Sequence, residues 1–290
     1  MYDAYKLSQY LFVATVAALG LALLLYLVNV FGARGRQLAA GTSHGPGTMA
    51  ATSASDTAGR YATILAINAF IFLTSTLVLR FVATGHGPFS NMYEFSLAFG
   101  WGGLACYLYF ERRYHARVLA LLVLPVVLGL LAYATTVGSE VRPLVPALQN
   151  NLLLTVHVAV AMMAYGAFSV AFGAAVLYLI QRHDTVGWLP KSAVLDEVGY
   201  KAVMLGFPLM ALTIILGAVW ADIAWGSYWS WDPKETASLV TWFVYGGYLH
   251  ARVLRGWRGT RSAWLLVLGF AATLFTYYGN LFFGGLHSYG

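Results

Sequence analysis

Eight apolar runs divide this 290-residue chain, at about residues 8–31, 61–83, 93–111, 116–137, 152–181, 199–221, 234–254 and 263–283. Each is close to the ~20 residues that a helix needs to cross the hydrocarbon of a bilayer. In hydrocarbon every backbone N–H and C=O must find its partner within the protein, so such runs are predicted as helices. The pattern predicts an all-α, polytopic integral membrane protein with about eight transmembrane helices. Charge agrees: 10% of residues are charged, against roughly 25% in a soluble domain. The first run has no small-residue cleavage signature and is read as a retained helix.

Lysine and arginine placement sets the orientation. With alternating helices, Lys6, Arg80, Arg142 and Lys234 fall on one side. The remaining thirteen of the 17 basic residues, among them Arg112, Arg113, Arg117, Arg252 and Arg255, fall on the other. The basic side is predicted to be cytoplasmic, with both termini extracytoplasmic. This topology accounts for the net charge of +6, so the charge is no sign of nucleic-acid binding. The single cysteine, Cys106, lies within the third run. It supports neither a disulfide framework nor a cysteine zinc site and reads as a small buried hydrophobe.

Three regions are predicted: a first transmembrane helix (1–34), a flexible cytoplasmic linker rich in Gly, Ser, Thr and Ala (35–60), and a seven-helix core (61–290). Within the core, Trp225-Gly226-Ser227-Tyr228-Trp229-Ser230-Trp231-Asp232-Pro233-Lys234-Glu235 concentrates aromatic surface in a loop at 222–235. Flat π-surface with little charge suits a large, flat, apolar ligand. Two helix starts are also legible. Asn91-Met92-Tyr93-Glu94 fits a capping box, and Asp232-Pro233-Lys234-Glu235 fits one with Pro at the first helical position. That is the plain structural reading of Asp232 and Glu235, and such a cap also fixes where Trp225, Trp229 and Trp231 point.

Histidine placement narrows the ligand. His44, His115 and His183 fall beside basic residues in cytoplasmic segments and read as solvated. His86 reads as part of a Gly-His-Gly-Pro turn. His157, near the outer start of the fifth run, and His287, after the eighth, share the depth of the tryptophan-rich loop. Two neutral imidazoles on opposite faces of a haem supply both axial ligands, so haem is the leading candidate. The alternative for His157 is a lone histidine satisfied by a neighbouring helix. His250 lies about 25 Å along the seventh helix, at 1.5 Å per residue, near the cytoplasmic face. An ionisable residue inside a membrane helix is a functional candidate, though His250 also reads as an interfacial residue. Its depth separates it from His157 and His287, so two sites are implied if both are real.

From about residue 61 onward the chain resembles the cytochrome c biogenesis proteins of the CcsA/ResC type, the haem-attachment pathway called System II. The resemblance rests on Gly-His-Gly-Pro-Phe-Ser-Asn-Met-Tyr-Glu (85–94), the His157 helix, the segment 225–235, Tyr-Leu-His-Ala-Arg (248–252) and Gly-Leu-His-Ser-Tyr-Gly (285–290). The tryptophan-rich signature marks a wider haem-handling superfamily named for its WWD motif. The resemblance implies that His157 and His287 ligate the iron of haem b at an outer site. Trp225, Gly226, Trp229, Trp231 and Asp232 would hold the porphyrin edge there. His250 would be one ligand of an inner haem, the other coming from a ResB-type membrane partner. The implied function is haem transport to the outer face and attachment of its vinyl groups to Cys-X-X-Cys-His apocytochromes, within a holocytochrome c synthase (haem lyase) complex. The implied setting is a bacterial cytoplasmic or thylakoid-type membrane. A haem exporter without synthase activity would use the same residues; an electron-transfer subunit would leave the aromatic loop without a role. Lys234, Arg80 and Arg142 are the outer cations able to meet a haem propionate, and the sequence does not choose among them. No catalytic acid or base is assigned.

Overall fold

The computed structural model describes residues 2–40, 46–140, 144–145, 148–149 and 151–287. Among them stand eight long helices: α1 (Tyr2–Ala40), α2 (Pro46–Thr84), α3 (Met92–Tyr114), α4 (Ala120–Thr136), α5 (Asn151–Gln181), α6 (Ser192–Trp225), α7 (Pro233–Leu254) and α8 (Thr260–Tyr278). Short 3-10 turns precede α4 and follow α8, and no strand occurs among the described residues. Five helical segments are long and apolar enough to cross a membrane: Tyr2–Gly32, Asp56–Thr84, Arg117–Thr136, Leu152–Gln181 and Ser192–Trp225. The other three, α3, α7 and α8, are less apolar, as with Lys234, Glu235 and Arg252 on α7, but they belong to the same bundle. The chain is an all-α, multi-pass membrane protein.

The centre of the bundle is α5, which packs on α3, α4, α6 and α8. Its most apolar window is 78% buried within the protein, against 28% for α2 and for α6. Two glycines let α3 and α5 meet backbone to backbone. A methyl added at Gly102 would overlap the Met162 carbonyl, and one at Gly166 would overlap the Gly102 carbonyl. Small residues at such crossings are how membrane helices approach closely where hydrophobic burial gives no advantage over lipid.

Contacts at the two ends show the up-down order. At one end Tyr5 meets Ser139, and Arg80 donates from Nε and Nη2 to Glu94 and from Nη1 to the Ser139 carbonyl. At the opposite, basic end, Arg252 holds Asp196 with two hydrogen bonds of 2.9 and 2.7 Å, joining α6 to α7. Also toward that end, Glu111 accepts from Tyr26 and Thr63, tying the α1–α2 pair to α3.

Two local boundaries differ from the sequence reading. Helix covers part of the segment predicted as a linker: α1 runs to Ala40 and α2 starts at Pro46. Its alanines support helix, and Ser and Thr tolerate it. Second, the loop predicted at 222–235 begins later, because α6 continues through Trp225. Gly226 then stops it in the left-handed region at φ 75°, where glycine carries no Cβ penalty, and donates its amide to the Asp222 carbonyl. His44, Arg142 and residues 288–290 lie outside the described residues.

Candidate functional site

A cavity of about 350 Å³ opens at the end where α5, α7 and the C-terminal segment meet α6. Its floor is apolar and aromatic, with Phe95, Met162, Tyr165, Trp220 and Tyr277, and both His157 and His287 line it. The structure therefore brings together two histidines 130 residues apart in the chain. Trp220 stands beside both. Its ring is 6.4 Å from that of His157 and nearly parallel to it, and 5.7 Å from that of His287.

Each imidazole is oriented from behind. His157 Nδ1 lies 2.9 Å from the Thr213 carbonyl on α6. A carbonyl accepts, so the proton sits on Nδ1 and the lone pair on Nε2. Gly217, one turn further along α6, leaves room for the ring: a methyl there would come within 2.8 Å of it. His287 Nδ1 donates to Asp232 Oδ1 at 2.9 Å, which fixes the same tautomer. A histidine whose Nδ1–H is held by a carboxylate or a carbonyl is a ring prepared to ligate metal through Nε2.

Asp232 does this while also starting a helix. Its side chain accepts from the Lys234 amide, and Glu235 reaches back to the Asp232 amide, completing a capping box. Asp232 Oδ2 accepts from the Leu286 amide, which anchors the segment carrying His287. A Cβ at Gly285 would overlap that oxygen, so glycine is what lets the segment pass so close. Burial alone would raise the Asp232 pKa. The His287 hydrogen bond and the Lys234 and Leu286 amides outweigh it and hold the carboxyl well below the usual carboxylate range. Burial lowers the His287 pKa. The Asp232 hydrogen bond opposes this and Lys234 reinforces it, with a net depression that keeps the ring neutral near pH 7.

The loop residues divide among several tasks. Trp229 lines the cavity. Trp225 stands behind His287, 4.9 Å from its ring and edge-on. Gly226 ends α6 and Asp232 holds His287. Trp231 points away from the cavity and is 69% exposed, with its ring edge-on to Trp229 at 5.7 Å. Its φ of 59° is a left-handed conformation that bulky residues rarely adopt. Glu235 braces it by accepting from the amides on either side, Ser230 and Asp232.

His250 is elsewhere. It is exposed on α7, four residues before its end and close to Arg252 in the last turn. Val240, Phe243 and Leu254 are exposed at helical spacing with it, so His250 lies on an outward apolar face. His86 is part of its turn, Nδ1 against the Gly87 carbonyl. Cys106 is buried against the Met163 carbonyl. Among the described residues no three His, Cys, Asp or Glu side chains gather as a metal site. Sequence reasoning missed Trp220, Thr213 and Gly217. In the sequence they are unremarked members of an apolar helix; their shared i, i+4, i+7 face of α6 was the available signal.

Comparison with known proteins shows the family. The pattern of the family described as cytochrome C assembly protein matches residues 89–287, from the start of α3 to His287. A protein of Guillardia theta described as cytochrome c biogenesis protein CcsA is 38% identical over 252 residues, covering 77% of this chain and 83% of that protein. One of the same description from Gloeobacter violaceus is 35% identical over 284 residues, covering 77% and 84%. The fold is shared with a solved structure, cytochrome c haem lyase CcmF, at TM-score 0.61 and 21% identity; the match spans 92% of this chain and 46% of that one. With the family pattern running through both cavity histidines and the capped loop between them, the chain belongs to the cytochrome c assembly protein family.

Proposed function

We propose that this protein acts in cytochrome c biogenesis by holding haem b in the cavity, ligated by His157 and His287, and presenting it to apocytochrome c at the extracytoplasmic surface. One observation carries the reading. Two imidazoles 130 residues apart in the chain line a single aromatic cavity, and each has its Nδ1 proton held by a fixed acceptor.

Attachment joins each cysteine thiol of a Cys-X-X-Cys-His motif to a haem vinyl group. The thiol adds across the C=C bond: sulfur bonds to the inner carbon, the thiol hydrogen goes to the terminal carbon, and nothing is oxidised or reduced overall. The thiols come from the client, since the chain's one cysteine is buried within α3. The protein's contribution is position. Trp225 and Trp220 back the His287 ring, Trp229 forms a wall, and Asp232 keeps the His287 tautomer. Alignment of this kind is worth up to roughly 7–11 kcal/mol of a barrier. The client's own histidine then displaces one axial imidazole.

His250 supports a second haem position near the cytoplasmic face. An exposed imidazole on an apolar helix face inside a bilayer is costly, and a ligand from a ResB-type partner docked on that face would relieve it. Haem would enter there and move outward to the cavity.

The test is the absorption spectrum of the purified protein loaded with reduced haem b, followed by incubation with a Cys-X-X-Cys-His peptide. A six-coordinate, bis-histidine spectrum that changes in both His157→Ala and His287→Ala, with a thioether-linked peptide from the wild type, is the expected result. Unchanged spectra in both variants would refute the ligand assignment. Haem binding without thioether product would leave a haem carrier in place of a synthase component.

A further inference from the structure

We infer that Lys234 is the anion-recognising residue of the cavity and that the anion is a carboxylate carried by its ligand, which for haem is a propionate. The inference rests on the haem reading above and fixes which way round the porphyrin sits.

Lys234 lines the cavity. Its Nζ stands 5.2 Å from the centre of the Phe95 ring, itself a cavity residue. An ammonium in such surroundings needs an anion, and the chain's own carboxylates nearby are engaged. Asp232 accepts from His287 and from the Lys234 and Leu286 amides. Glu235 accepts from the Ser230 amide and hydroxyl and the Asp232 amide. Glu94 accepts from Arg80 and Ser90. Among the described residues no carboxylate comes within 4 Å of Lys234 Nζ. The anion is left for the ligand to bring.

Of the other outer cations weighed for a propionate, Arg142 lies outside the described residues and Arg80 is placed differently. Arg80 is fully buried, and its donors are spent on Glu94 and the Ser139 carbonyl. The backbone favours an anion at the Lys234 side as well. Both α3 and α7 begin at the cavity, where Ser90, Asn91 and Met92 line it beside Lys234 and Ser238. Each helix directs the positive end of its dipole there. One side of the cavity is therefore polar, with Lys234 as its cation and the Glu235 carboxylate already engaged, and the rest is apolar and aromatic. A propionate on Lys234 turns the opposite, vinyl-bearing edge of the porphyrin away from α3 and α7.

The experiment compares reduced haem b with its dimethyl ester, in which both propionates are neutral, by following visible absorption as each is titrated into the purified full-length protein. The wild type should bind the free acid about tenfold or more tighter, the effect of one charge-assisted hydrogen bond. Lys234→Met should lose that preference while keeping its affinity for the ester, and Lys234→Arg should retain it. Equal wild-type affinity for acid and ester, or an undiminished preference in Lys234→Met, would overturn the inference while leaving the histidine site intact. Failure of the wild type to bind either compound would sink the haem reading and this inference with it. The wild-type comparison needs no variant to fold.

Discussion

One helix, α7, treats histidine in opposite ways at its two ends. Its first turn is built on Asp232, which caps the helix and grips His287 at 2.9 Å. Four residues before its last, His250 is exposed on an apolar face and makes no hydrogen bond among the described residues. The first histidine has a fixed tautomer, an aromatic enclosure and a second imidazole across the cavity. The second has none of these within the chain. The contrast teaches that a ligand site is made by the acceptor behind the ring and the walls around it. A site lacking both within one polypeptide needs them from another.

The largest expected effect tests the enclosed end. His157→Ala or His287→Ala abolishes cytochrome c maturation in cells, and added imidazole partly restores haem binding to either variant. If maturation survives in both, the enclosed end is not the ligand site and the contrast collapses. Asp232→Asn comes next. Asparagine still caps the helix and still offers one oxygen to Nδ1, but its NH2 replaces the oxygen that accepts from the Leu286 amide, and the charge that raises ligand basicity is gone. Haem affinity, read by titration, should fall about 10–100-fold, as for other groups that hydrogen-bond a ligating histidine from behind. An unchanged affinity would reduce Asp232 to a helix cap.

His250→Ala should lower the haem content of a complex with the proposed ResB-type partner while leaving the bis-histidine spectrum proposed for externally added haem unaltered. Normal haem content in that complex would show that the exposed end is dispensable. The smallest effect is on stability. The folded-state pKa of His287 is depressed, so its stabilising contribution is fully present above the unfolded value near 6.5. It is lost as pH falls from there through the folded value. Asp232 is depressed too, and its contribution is lost at still lower pH, below about 4. Thermal unfolding of the ligand-free protein should show Tm falling between pH 7 and pH 5. That fall should be smaller in His287→Gln; an identical fall would place the titrating group elsewhere.

Much of this was legible before any fold. Apolar runs of membrane-crossing length dictated helices, since hydrocarbon offers backbone groups no other partner. The helix caps at Asn91 and Asp232 were readable because a cap is a local device spanning four residues, although at Asn91 the Glu94 carboxylate reaches back to Ser90 and the reciprocal box forms only at Asp232. His157 and His287 stood out by shared depth, a quantity that follows from rise per residue alone. The sequence did not reveal Trp220, one more apolar residue of α6 until the bundle sets it against both imidazoles. Nor could it separate Trp229, which faces the cavity, from Trp231, which turns outward at φ 59°. Adjacent loop aromatics are alike in composition and differ in backbone conformation.

By itself, then, the sequence determined the helices, their alternation, the caps and the depth of each histidine, because these depend on interactions within a few residues or on the bilayer. Tertiary structure alone decided that Asp232 serves His287 across 55 residues and that Thr213 presents its carbonyl to His157. It also decided that Lys234 faces the cavity while Arg80 is consumed by Glu94. Those outcomes depend on which helix packs beside which, and on where glycines let backbone and ring approach, and no local pattern encodes either.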